Sequence, residues 1–135
     1  MKPLKLKMKA FGPYLKQTEI DFEKGLGDNN FFLIHGATGA GKTTILDAIC
    51  YALYEKCSGV DRNGEMMRSQ KADAFEKTEV DFTFTLNGKI YRVIRSPKYK
   101  RKSLRGDGEV IENSAVTIYE DGKPVDRERT KDFFK

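Results

Sequence analysis

His35-Gly36-Ala37-Thr38-Gly39-Ala40-Gly41-Lys42-Thr43-Thr44 fits the pattern G-x-x-x-x-G-K-[ST], and its neighbours decide how it is read. Phe31-Phe32-Leu33-Ile34 before it is a short apolar run suited to a buried strand. Ile45, Leu46, Ile49, Ala52 and Leu53 after it recur at helical spacing. A glycine-rich loop between a strand and a helix is the setting in which this pattern holds phosphate. Gly36, Gly39 and Gly41 can take backbone angles closed to other residues, so main-chain N–H groups can close around phosphate oxygens. Ala37, Thr38 and Ala40 complete that loop. Lys42 is placed to reach the β- and γ-phosphates of a nucleotide, which makes it the catalytic candidate, and the Thr43 hydroxyl to ligate Mg²⁺. Thr44 is expected to add a hydroxyl contact to a phosphate. The expected cofactors are therefore ATP and Mg²⁺.

At 135 residues, 39% hydrophobic, with nine Phe and six Tyr, the chain is the size of one domain with a real core. A net charge of +5 permits a nucleic-acid partner without demanding one. Cys50 and Cys57 are the only cysteines. Seven residues along a helix is about 10 Å, too far for a disulfide, and core packing is the expected role of Cys50. With no Cys-x-x-Cys and one His, the pattern fits a reducing cytosol and argues against a protein-built zinc site. No apolar run approaches a membrane span, so a soluble, cytoplasmic protein with no membrane partner is expected.

Along the chain, Leu4, Leu6, Met8 and Ala10 alternate with Lys5, Lys7 and Lys9, the signature of a strand with one face in water. Phe11-Gly12-Pro13-Tyr14 breaks it and Thr18 to Phe22 resumes a strand, with a turn-rich connection from Gly25 to Asn30. After the helix, Ser58 to Gly64 reads as loop. Glu79 to Leu86 alternates, Asn87-Gly88 is a strong hairpin turn, and Lys89 to Arg95 returns. Ala115 to Glu120 with Asp121-Gly122 adds a further strand and turn.

Lys89, Arg92, Arg95, Lys98, Lys100, Arg101, Lys102 and Arg105 run without an acidic residue from 89 to 105. Those eight cations exceed the whole chain's +5. Two readings stand: a solvated hairpin extension, or a contact surface for a nucleic-acid backbone formed by Lys98, Lys100, Arg101, Lys102 and Arg105, with Tyr99 able to stack or pack.

A phosphate loop binds nucleotide but does not alone hydrolyse it. Turnover also needs a carboxylate on a second strand, and no apolar run ending in Asp or Asp-Glu follows residue 44. The sequence ends at Thr130-Lys131-Asp132-Phe133-Phe134-Lys135, an apolar pair opening what reads as a helix, so a fragment is expected whose remaining catalytic parts lie elsewhere.

Phe11-Gly12-Pro13-Tyr14, Ile20-Asp21-Phe22 and the run from Leu33 to Tyr54 closely resemble the N-terminal segment of the SbcC family, bacterial SMC-like DNA-repair ATPases. Met66-Met67-Arg68-Ser69, Thr78 to Phe82 and Gly88 to Arg92 are similar to the same family. The resemblance implies an α/β fold, the N-terminal lobe of an ABC-type P-loop NTPase head with strand, phosphate loop and helix beside an antiparallel β-sheet. It further implies a C-terminal lobe of the same protein, beyond a long coiled coil, that carries the signature motif, the Mg²⁺-binding Asp and the catalytic Glu. Two such heads would form a homodimer around two ATP molecules and control an SbcD-type nuclease acting on double-stranded DNA. Only the phosphate-loop roles carry over residue by residue.

Two other classes use the same loop. A transport ATPase would place its further motifs on one continuous chain and would leave the basic stretch without a task. A small-molecule kinase would follow its first helix with a lid and a substrate-binding helix, not a meander of strands.

Overall fold

The structure, a computed structural model, describes residues 1–27, 33–37, 41–58, 63–130 and 133–134. Its frame is a six-stranded antiparallel sheet ordered β2-β1-β3-β4-β7-β8, built from β1 (Lys2–Lys9), β2 (Thr18–Asp21), β3 (Glu79–Leu86), β4 (Lys89–Ser96), β7 (Ala115–Glu120) and β8 (Lys123–Pro124). A separate two-stranded ribbon pairs β5 (Tyr99–Lys102) with β6 (Glu109–Glu112). The helices are α1 (Phe22–Leu26), α2 (Lys42–Tyr54) and α3 (Arg127–Thr130).

Strand alternation sorts the sheet into two faces. On one, Leu6 lies opposite Phe82, Met8 opposite Val80, Phe82 opposite Val93, Phe84 opposite Tyr91 and Val93 opposite Ile118. These side chains are buried and make one core with Ala48, Tyr51, Ala52 and Leu53 of α2. The Phe82, Phe84 and Tyr91 rings stack in sequence at 5.1 and 5.6 Å, and Phe134 closes on Phe84 at 5.5 Å. On the other face, Lys7 lies opposite Glu19 and Asp81, and Lys9 opposite Glu79, so the lysine row of β1 faces acids on both neighbouring strands. Arg92 grips Asp81 with two bonds, 3.0 and 2.7 Å.

Both predicted tight turns are present. Asn87-Gly88 and Asp121-Gly122 have positive φ at both central residues, as two-residue hairpin loops require. Asp121 also takes the Ile90 N–H on its side chain at 2.9 Å.

Several expectations need correction. Leu33 and Ile34 belong to no strand, and Leu33 is 83% exposed; Phe31 and Phe32 lie outside the described residues. An apolar run becomes a strand only when a neighbour takes its backbone hydrogen bonds, and no strand among the described residues pairs there. The strand expected through Phe22 stops at Asp21, because Asp21 caps α1 by accepting the Lys24 N–H at 3.1 Å. The expected core cysteine is also displaced: Cys57 is buried in the core, while Cys50 is only partly buried. Both are reduced thiols. The end of the expected turn (28–30), most of the expected loop (59–62) and Lys131, Asp132 and Lys135 fall outside the described residues. Among the described residues no helix is long and apolar enough to cross a membrane.

Candidate nucleotide-binding site

Helix α2 begins at Lys42, as the sequence indicates, but it buries a different face. Thr44, Asp47, Ala48, Tyr51, Ala52 and Leu53 are buried, while Ile45 and Ile49 are partly buried and Leu46 is 48% exposed. The polar members sit inside because they find partners. Asp47 accepts the Ser58 N–H at 2.8 Å and the Ser58 hydroxyl, holding the chain that leaves the helix against its flank.

Gly41 caps the helix with left-handed backbone, φ 93° and ψ 13°, and supplies no side chain to bond the first-turn N–H groups. Those donors remain available to an anion, as a phosphate loop requires. Lys42 Nζ donates back to the Gly36 carbonyl at 2.5 Å, spanning the loop from its first glycine to the helix. Gly36 and Ala37 are exposed, and so is Thr43 on the first turn. Thr44 turns inward instead: a Cβ on Gly12 would stand 2.7 Å from its methyl group. Thr38, Gly39 and Ala40 lie outside the described residues.

The turn after β1 packs on this loop, a relationship no local pattern announces. Phe11 and Tyr14 exchange backbone bonds of 3.0 Å, and Gly12 N–H donates to Met67 O at 2.6 Å. The Tyr14 hydroxyl lies 3.3 Å from the Gly41 carbonyl. Its ring edge occupies the place of a side chain at 41, since a Cβ there would come within 2.6 Å of the hydroxyl oxygen.

Among the described residues no group of three His, Cys, Asp or Glu could hold a metal. Thr43 is the one phosphate-loop hydroxyl left exposed among those described, and a single protein hydroxyl fits a cation whose other ligands are phosphate oxygens and water.

The basic stretch does not act as one surface. Lys89 pairs with Glu120 at 3.0 Å, Arg92 with Asp81 at 2.7 Å, Arg95 with Glu55 at 2.6 Å and Arg101 with Glu112 at 2.7 Å. Arg95 is buried, also donates to Ala52 O at 2.9 Å, and burial lowers its guanidinium below the usual arginine range against the pull of Glu55. It lines a cavity of about 300 Å³ at the far end of α2 with Tyr51, Glu55 and Lys98. Tyr99 is buried under the Arg68 guanidinium, 4.0 Å from its ring centre, so its face is already covered. Lys98, Lys100, Lys102 and Arg105 are exposed and pair with no carboxylate among the described residues.

A family model described as "AAA domain" matches residues 5–133. The chain belongs to this AAA domain family. It is 48% identical over 118 residues to SbcC, the larger-lettered half of the SbcCD nuclease name, from Vibrio cholerae, covering 87% of this chain. It is 43% identical over 130 residues, 95% of this chain, to the SbcC protein of the Staphylococcus aureus SbcCD nuclease. The chain spans about 12% of the length of each of these relatives. The SMC head domain from Thermotoga maritima superposes with a TM-score of 0.54 at 22% identity, covering all of this chain and 43% of that one. The resemblance to the N-terminal part of SbcC and the P-loop NTPase head fold are thereby borne out.

Proposed function

We propose that this chain is the ATP-binding N-terminal lobe of an SbcC-type ATPase head, which uses ATP binding and hydrolysis to control a partner nuclease of the SbcD type on double-stranded DNA. The observation that carries the reading is the loop itself: Lys42 reaches back over it to Gly36, and a side-chain-free left-handed Gly41 opens the helix to an anion. Main-chain N–H groups from Gly36 to Thr44 surround the phosphates, and Lys42 carries their charge toward the transition state. Thr43 holds Mg²⁺, whose part when bound is to neutralise charge on the phosphates. Thr44, packed on Gly12, is the residue of this set with least freedom to reach a phosphate.

The C-terminal lobe of the same protein supplies the remaining catalytic groups, a second head completes a homodimer, and the assembly works in the cytoplasm. The similarity to SbcC proteins, and a sheet rather than a lid following α2, support this reading over a transporter or small-molecule kinase. Double-stranded DNA contacts the open lysines of the ribbon, Lys98, Lys100 and Lys102, with Arg105 at its turn; Arg101 is held by Glu112 and contributes least. The full-length protein with its nuclease partner tests this reading. Lys42→Ala is expected to remove the ATP dependence of DNA-end cleavage, and unchanged ATP dependence would overturn the assignment.

A further inference from the structure

None of these roles falls to the turn that packs against the phosphate loop. Tyr14 stands 27 residues from Gly41 in sequence, yet its ring fills the space beside the glycine Cα where a side chain would project. Two features of Gly41 then reinforce one another. Its φ of +93° disfavours any residue with a Cβ, and the Tyr14 ring excludes one. The hydroxyl contact to Gly41 O, 3.3 Å, is long, so packing of the ring is the larger part of the interaction.

The turn is itself firmly held. Ala10 O accepts from Ser69 N–H at 2.9 Å and from the Thr78 hydroxyl at 3.1 Å, Gly12 N–H reaches Met67 O, and Phe11 is fully buried against Tyr51 at 5.9 Å between ring centres. Gly12 meets the Thr44 side chain one turn along from Gly41. The end of the phosphate loop is thus braced at two points, Gly41 and Thr44, by a turn anchored in the sheet and in the segment following α2. A peptide plane held in this way presents its N–H groups without reorganisation when an anion arrives.

We infer that Tyr14 is a positioning residue for polyphosphate binding: its ring holds the Gly41 peptide in the conformation that receives phosphate, without touching base or ribose. This rests on the nucleotide-binding reading above. The test compares wild type, Tyr14→Phe and Tyr14→Ala for calorimetric binding of Mg²⁺-ATP and of Mg²⁺-tripolyphosphate, which has no base or ribose, with the melting temperature of each ligand-free protein. Tyr14→Phe keeps the ring and should weaken both ligands by about threefold or less, the loss of one long hydrogen bond. Tyr14→Ala should weaken both equally, by roughly tenfold or more, because the brace is gone. A folded Tyr14→Ala protein with undiminished affinity for both ligands would overturn the inference. Loss confined to Mg²⁺-ATP would also overturn it, by making Tyr14 a base or ribose contact. A wild-type protein that binds neither ligand would overturn the nucleotide reading and this inference together. Should Tyr14→Ala fail to fold, Tyr14→Leu, which refills the space without the flat ring, takes its place under the same criteria.

Discussion

Asp47, wholly buried on α2, takes both the backbone N–H and the hydroxyl of Ser58. A carboxylate inside the core is tolerable only where donors satisfy it. Here they tie the exit of the helix back onto its own flank. Replacing Asp47 by Ala strands the Ser58 donors and should cost about 1–3 kcal/mol of stability. Urea unfolding should show a lower midpoint, with Asp47→Asn less affected because its amide oxygen still accepts. A midpoint within error of wild type for Asp47→Ala would mean the pair contributes nothing.

Tyr51 gives stability a pH dependence. Burial, the largest influence, holds its phenol protonated well above the usual tyrosine range, with Arg95 acting in the opposite direction. A folded-state pKa raised above the unfolded one stabilises fully below the unfolded value of about 10, and that stabilisation is lost as pH rises beyond it. Stability should therefore fall from about pH 10 upward. Tyr51→Phe should flatten that fall, as thermal unfolding between pH 8 and 11 would reveal. An equally steep fall in the variant would assign it to other groups.

Two glycines should respond in opposite directions. A Cβ on Gly64 would collide with the Tyr51 ring, and Gly64→Ala should lower stability by about 1–3 kcal/mol through overpacking. Gly25 lies in α1 with open space around it, so Gly25→Ala should raise stability by about 0.4–1 kcal/mol. Thermal unfolding of both variants decides, and the same sign for both would contradict the packing described.

The ribbon prediction separates lysines that look alike in sequence. Neutralising Lys98, Lys100 and Lys102 should lower the salt dependence of duplex-DNA binding by about 0.9 in log–log slope for each phosphate no longer neutralised. Neutralising Lys5, Lys7 and Lys9 should leave it unchanged, because Lys7 and Lys9 face Glu19, Asp81 and Glu79 across the sheet and Lys5 pairs with Glu19. Binding measured across a salt series would refute the assignment if both triple variants lost slope equally.

The sheet was legible because alternation and turn chemistry are local. Asn87-Gly88 and Asp121-Gly122 announce their hairpins, and the strands they join follow. The helix after the loop was legible in position but not in orientation. Its buried face carries Thr44 and Asp47, whose partners Gly12 and Ser58 cannot be inferred from apolar spacing. Leu33 failed as a buried strand residue for a similar reason: apolarity says nothing of which neighbour will accept its backbone bonds. The charge of 89–105 was visible, but its division was not. Arg92, Arg95 and Arg101 meet acids from 11 to 40 residues away, leaving an alternating lysine row as the open part. Tyr14 belongs to a recognisable motif, yet its place beside Gly41 follows only from the fold.

Calorimetric titration of this chain with Mg²⁺-ATP, wild type against Lys42→Ala, tests the central claim most directly. Lys42 sits half-buried on the first turn with its amine on Gly36, so the variant should melt within a few degrees of wild type. The expected result is saturable one-site binding by wild type and at least a tenfold loss in the variant. Equal affinities in two folded proteins, or no binding by wild type, would contradict the assignment of this loop as a nucleotide site.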